Sequence, residues 1–129
     1  MLMAIEAGNT NVVFALYDGK NILHSWRCKT DAARTADEYA SWLYPLFQQS
    51  KLSFADVKDA IASSVVADAN FNINRLCEKH FNVTPTIVGQ DPINLDIKVK
   101  IKKPEEMGAD RLLHAMAVKR YYKYPAIVV

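Results

Sequence analysis

An apolar run, Met1-Leu2-Met3-Ala4-Ile5, meets the polar turn Glu6-Ala7-Gly8-Asn9-Thr10-Asn11 and is answered by a second apolar run, Val12-Val13-Phe14-Ala15-Leu16-Tyr17. This pattern commits the start of the chain to two strands folded back on each other, so whatever follows must build on a hairpin. Gly8 can take a positive φ without a Cβ penalty and lets another group come close to the backbone, while Asn9 and Thr10 bring short donors to the same turn. Such a turn can cradle phosphate. Glu6, at the end of the incoming strand, is placed to hold a hard cation directly or through water. The competing reading is a plain hairpin turn.

Asp18-Gly19 has the chemistry of a tight turn, and Ile22 to Lys29 reads as a third strand, so residues 2–29 are expected to form an antiparallel meander. Thr35-Ala36-Asp37-Glu38 is a capping box opening a helix over 36–48, with Tyr39, Trp42, Leu43, Leu46 and Phe47 as one apolar stripe. Pro45 lies inside it and predicts a kink or early stop near Tyr44, because an interior proline costs about 3 kcal/mol. Residues 60–66 read as a parallel strand buried on both faces, 70–81 as a helix and 86–88 as a returning strand. His80, near that helix's end, suits the helix dipole better than a ligand. Ile97 to Lys102 alternates strictly, as a strand with a solvated lysine face does, and no aromatic residues interleave with those lysines to stack bases. Pro104-Glu105-Glu106 leads into a last helix over 109–122, with Leu112, Leu113, Met116, Ala117 and Tyr121 marking its buried side. Pro125-Ala126-Ile127-Val128-Val129 reads as a further apolar strand on which the chain stops. Three antiparallel strands followed by a strand–helix–strand unit make an α/β fold with a mixed sheet flanked by helices.

Half of the 129 residues are hydrophobic and 23% are charged, which suits one globular unit. A net charge of +2 gives no bulk argument for nucleic acid or an anionic membrane as partner. The two cysteines, Cys28 and Cys77, lack metal-ligand or disulfide-framework spacing and fit a reducing compartment. Glu6 interrupts the first apolar run, against a signal peptide or membrane span, so a soluble cytoplasmic protein is expected.

Gly108-Ala109-Asp110-Arg111 sets a small pair beside an acid and a base at the mouth of the last helix. One reading has Asp110 as a cap or dipole partner. The other has Asp110 take the proton of a substrate hydroxyl while Arg111 grips an anionic group through its forked donors. Successive helix residues diverge by about 100°, so the two would reach different parts of one ligand, as suits a hydroxyl at one end and a carboxylate at the other.

In order along the chain, Ala4-Ile5-Glu6-Ala7-Gly8-Asn9-Thr10-Asn11, Trp26-Arg27, Arg34 to Ala40, Ser63-Ser64-Val65-Val66, Pro104 to Arg111 and Pro125 to Val129 resemble the segments of type III pantothenate kinases. The resemblance implies a ribonuclease-H-like, actin/Hsp70-type (ASKHA) kinase lobe over 1–124, with 125–129 the first-strand stub of a second lobe. It implies ATP-dependent phosphorylation of pantothenate, the first step towards coenzyme A, with Mg²⁺ and a monovalent cation, K⁺ or ammonium, and a homodimer is expected. By position, Gly8, Asn9, Thr10 and Asn11 resemble the first phosphate motif, Glu6 the metal-site acid, Asp110 the catalytic base, and Gly108, Ala109, Asp110 and Arg111 the pantothenate contacts. The family usually has Asp where this chain has Glu6. Many members carry a substrate-side Tyr before the Gly-Ala-Asp-Arg motif, where this chain has Ile101 or a nearby Lys. Members are longer, with a second phosphate motif and the adenosine pocket following the Pro-Ala-Ile-Val-Val strand, so this chain is expected to lack kinase activity alone. Some relatives carry the label Bvg accessory factor, which makes a transcriptional regulator or pseudo-enzyme the alternative.

Overall fold

In the computed structural model the described residues are 1–90, 96–100, 102–103 and 107–128. Three strands open the chain, β1 (Leu2–Ala7), β2 (Asn11–Tyr17) and β3 (Ile22–Lys29), as their alternation dictates. They are followed by α1 (Ala36–Gln49), β4 (Asp59–Ser64), α2 (Ala67–Leu76), β5 (Thr86–Ile87) and α3 (Ala109–Tyr121). The sheet order is β3-β2-β1-β4-β5. β1 pairs antiparallel with β2 and parallel with β4, and β4 pairs parallel with β5, so the meander is grafted onto a parallel unit through β1. This is the expected mixed sheet flanked by helices.

One face of the sheet carries the core. Met3, Ile5, Ala7, Val12, Phe14 and Leu16 are buried there against Tyr39, Leu43 and Phe47 of α1 and Ala69, Ile73 and Leu76 of α2. Phe14 sits between the rings of Tyr39 and Trp42, at centroid distances of 5.7 and 5.8 Å. The capping box of α1 is formed: Thr35 Oγ1 accepts from the Glu38 N–H at 3.3 Å, and Glu38 Oε2 accepts from the Thr35 N–H at 2.8 Å. Asp37, in the same turn, takes Lys79 at 2.8 Å and His80 at 2.7 Å. His80 therefore joins two helices instead of serving a ligand.

The structure departs from the sequence reading in six places. α1 runs through Pro45 to Gln49 without the expected stop. Leu43 and Phe47 on its inner face are fully buried, and at about 1.5–3 kcal/mol each their burial exceeds the proline cost of about 3 kcal/mol. β4 ends at Ser64, not Val66, because the Ser64 hydroxyl donates to the Val66 carbonyl at 2.9 Å and accepts from its N–H at 3.0 Å, turning the chain into α2 three residues earlier than expected. α2 passes into a π turn, Cys77–Phe81, closed by Asn82 in the left-handed region. Residues 96–100 form no strand, although Ile97 and Val99 are half-buried and Lys98 and Lys100 exposed; Ile101 lies outside the described residues, as do Pro104, Glu105 and Glu106. On α3 only Ala109 is buried, while Ala117 is exposed and Tyr121 is 72% exposed, although this helix does meet the sheet at β4. Ala126, Ile127 and Val128 are exposed and form no strand, and Val129 lies outside the described residues.

Among the described residues no helix is long and apolar enough to cross a membrane. Both cysteines are free. Burial pushes the Cys77 thiol up to about 12, and burial also raises Cys28 against the opposing pull of Arg34, so both shifts disfavour the thiolate.

The packing makes a contrast on one helix face testable. Leu43→Ala should destabilise the chain by about 2–5 kcal/mol, as buried leucine truncations do, whereas Tyr44→Ala, beside it but 57% exposed, should change stability by less than ~1 kcal/mol. Urea unfolding of the two variants against the parent measures both.

Candidate functional site

The parallel strands β1, β4 and β5 all run towards one end of the sheet, and in such sheets ligands gather outside the carboxyl ends of the strands. The turn after β1 is closed by the Gly8 N–H donating to the Asn11 carbonyl at 3.0 Å. Gly8 does not use the left-handed region. A Cβ built on it would lie 3.4 Å from the Asn11 carbonyl oxygen and 3.5 Å from Glu6 Oε1, so what glycine supplies here is an open approach to the backbone, not a special φ. Asn9 and Thr10 are exposed at the turn, and Asn11 opens β2 half-buried.

Thr30 fixes this turn from the end of β3. Its N–H donates to the Thr10 carbonyl at 2.9 Å, and its Oγ1 donates to the Gly8 carbonyl at 2.7 Å. Nothing local in the sequence marks Thr30; its position follows from the β2–β3 register, which shifts at Leu16/Tyr17.

Glu6 is exposed on the face away from α1 and α2, between Val13 and Ser63 in register. It borders a cavity of about 290 Å³ shared with Val13, Ser63 and Leu113. Among the described residues its carboxylate makes no ion pair, and no group of three or more His, Cys, Asp or Glu side chains converges.

The second segment is held by glycine space. Gly108 is the N-cap of α3 with φ −62° and ψ 148°, a conformation open to any residue. A Cβ there, however, would stand 2.5 Å from Asp110 Oδ1, so the Asp110 carboxylate curls back over the glycine. No side-chain cap bond is made at Gly108; Asp110 sits in the favourable field of the helix start without being spent as a cap. Ala109 is seated 3.7 Å from where a Gly89 Cβ would be, and Gly89, just beyond β5, has φ +88°. Asp110 and Arg111 share a cleft of about 520 Å³ with His114, one turn further along α3. His114 did not stand out in the sequence, and its spacing of four from Asp110 is the signal that places it on the same face.

Val65 ties the two segments together. Its N–H donates to the Ala7 carbonyl at 3.0 Å, extending the β1–β4 pairing to the edge of the Gly8–Asn11 turn. Its Cγ1 lies 3.9 Å from where a Gly108 Cβ would be. The structure thus brings Glu6, the Gly8–Asn11 turn and Gly108–Arg111 to the same end of the sheet. Among the described residues no hydrogen bond or ion pair joins the turn to Asp110 or Arg111. An acid with a free oxygen, a cation beside it, and an open donor-rich turn on the neighbouring strand can together position a hydroxyl, an anion and a phosphate.

Comparison with known proteins finds similarity along the whole chain. The family model for type III pantothenate kinase matches residues 2–129. Over all 129 residues the chain is 44% identical to the type III pantothenate kinase of Paramagnetospirillum magneticum, covering 50% of that protein. It is 46% identical over 129 residues to that of Rhodospirillum centenum, covering 49%, and 40% identical over 129 residues to that of Halalkalibacterium halodurans, covering 50%. The chain thus spans about half the length of the curated relatives it matches.

The two glycines should respond differently to alanine. Gly89→Ala must hold a Cβ at φ +88° and should cost about 1–2 kcal/mol. Gly108→Ala needs only the Asp110 carboxylate to swing away and should cost less than ~1 kcal/mol, the loss typical of alanine at an N-cap. Denaturant unfolding distinguishes them.

Proposed function

Because this chain belongs to the type III pantothenate kinase family, we propose that it forms the half of such an enzyme that holds the acceptor and the phosphates while ATP phosphorylates pantothenate. The observation that carries this reading is the meeting of the Gly8–Asn11 turn and the Gly108–Arg111 helix start at the carboxyl ends of adjoining parallel strands, bridged by Val65. No observation favours the regulatory alternative.

In this reading Asp110 takes the proton of the pantothenate hydroxyl as its oxygen attacks the γ-phosphorus of ATP; the new P–O bond forms as the bond to the β,γ-bridging oxygen breaks, and ADP leaves with that electron pair. The free Oδ1 over Gly108 supports that role. Arg111, exposed on the same cleft, grips the carboxylate end by its paired donors. Gly8, Asn9, Thr10 and Asn11 offer backbone and side-chain donors to the phosphates, and Thr30 keeps their turn in shape. Ala109, against Gly89, sets the height of α3 on the sheet.

Glu6 fits Mg²⁺, which is usually held by one or two carboxylates, waters and substrate phosphates rather than by an all-protein cage. When bound, that ion would neutralise charge on the transferring phosphoryl group. The described residues single out no site for the monovalent cation, K⁺ or ammonium, that the family resemblance implies. We place the working enzyme in the cytoplasm as a homodimer, with residues 1–124 as one lobe and 125–129 leading into a second that completes the nucleotide site.

Asp110→Asn tests the assignment in this chain joined to the second half that its relatives carry. Turnover should fall by about 10²–10⁴-fold, the range for a lost general base, with the melting temperature unchanged. A loss of stability with turnover intact would mean that Asp110 only serves the helix. In the same protein Glu6→Ala should raise strongly the Mg²⁺ concentration needed for half-maximal turnover, whereas Glu6→Asp should lower it or leave it unchanged; a Glu6→Ala titration superimposing on the parent's would remove Glu6 from the metal site.

A further inference from the structure

Resting on the kinase reading above, we propose that the Asn70 carboxamide is a substrate-binding group that recognises the amide in the middle of the acceptor. Beside Asp110's helix start lies a cleft of about 230 Å³, lined by Ser64, Val65, Asn70, Val88, Gln90 and Met107 together with Ala109. It opens where β4 and β5 end and where α2 and α3 begin. Among the described residues its lining is uncharged, which favours a neutral group of a ligand over either charged end.

Its polar groups narrow the choice. The Ser64 hydroxyl is already occupied, donating to and accepting from Val66 at 2.9 and 3.0 Å. Gln90 is exposed at the rim. Asn70 Oδ1 is buried with no hydrogen-bond partner among the described residues, and a buried acceptor left unpaired carries a cost that a native structure normally avoids. The last torsion of an asparagine is soft, so the carboxamide can turn its oxygen or its NH₂ into the cleft that it already lines. An amide entering there offers the complementary donor and acceptor. Pantothenate has a hydroxyl at one end, a carboxylate at the other and an amide between. With the hydroxyl at Asp110 and the carboxylate at Arg111, both on the neighbouring cleft, the uncharged middle of the molecule would have to bow over Ala109, which lines the Asn70 cleft.

Asn74 supplies an internal control. It lies one turn further along α2, and its Oδ1 is likewise buried and unpaired, but it does not line the cleft.

The test uses this chain joined to the second half that its relatives carry, with pantothenate and an ester analogue whose amide N–H is replaced by oxygen. The parent should favour the amide by about tenfold or more in kcat/KM, because a site built to bond an N–H rejects a ligand lacking it. Asn70→Ala should raise KM for pantothenate about tenfold and abolish the preference, at little change in kcat. Asn70→Ser, which shortens the group and keeps the site polar, should do the same if the alanine variant folds poorly. Asn74→Ala should leave the preference at the parent's value. Retention of the amide preference in folded Asn70→Ala or Asn70→Ser, or its equal loss in Asn74→Ala, would overturn the assignment. A parent that phosphorylates neither compound would overturn the kinase reading itself, and the Asn70 assignment with it.

Discussion

The parallel pairing of β1 with β4 is the contact on which the rest depends. Without it the opening meander is a three-stranded ribbon with one apolar face, and the later helices have nothing to cover. The register sets Glu6 opposite Ser63 and Ala7 opposite Ser64, and the Val65 N–H continues it by bonding the Ala7 carbonyl. Two segments about a hundred residues apart in sequence, the Gly8 turn and the start of α3, become neighbours through that single strand end. Such long-range parallel pairing is entropically costly to form. The buried residues of β1, β2, α1 and α2 offset it collectively, which is why the core sits on one face of the sheet and the candidate site at its end.

Much of the fold was legible because its signals are local. The alternation of β1 to β3, the capping box at Thr35 and Glu38, and the apolar stripe of α1 each act within a few residues. Pro45 misled because its penalty is local while the burial of Leu43 and Phe47 that overrides it is tertiary. The lysine alternation after Asp96 misled for the converse reason: period two is necessary for a strand, but a ladder needs a partner, and none pairs with residues 96–100 among the described residues. Of the candidate site, Glu6, Gly8 and Asp110 could be singled out by residue type and spacing. Thr30, His114 and Asn70 could not, since each matters only through what the tertiary fold sets beside it.

The glycines make the same distinction in finer detail. Read from sequence, Gly8 and Gly108 stand for conformational freedom, yet neither occupies the left-handed region. Gly108 is needed for volume, because the carboxylate of Asp110 fills the space of its missing side chain. Positive φ belongs instead to Gly19, in the turn between β2 and β3, and to Gly89, whose neighbours in sequence gave no hint of a role and beside which Ala109 is seated.

α3 is the least buried of the three helices, with Ala109 alone fully packed and the apolar side chains of its later turns half or wholly exposed. Few buried contacts mean a low free energy of local opening, so amide protons along α3 should exchange through small excursions while those of β1 and β4 wait for global unfolding. Asp110, the carboxylate proposed to accept a proton, is therefore mounted on the least buried of the three helices. Ordering that helix draws on whatever binds at its mouth, and a ligand that rigidifies it gives up part of its own affinity to do so. On the proposed assignment, affinity for the acceptor and stiffness of α3 are in this way one thermodynamic quantity, and a substitution that tightens the later turns against the sheet changes both.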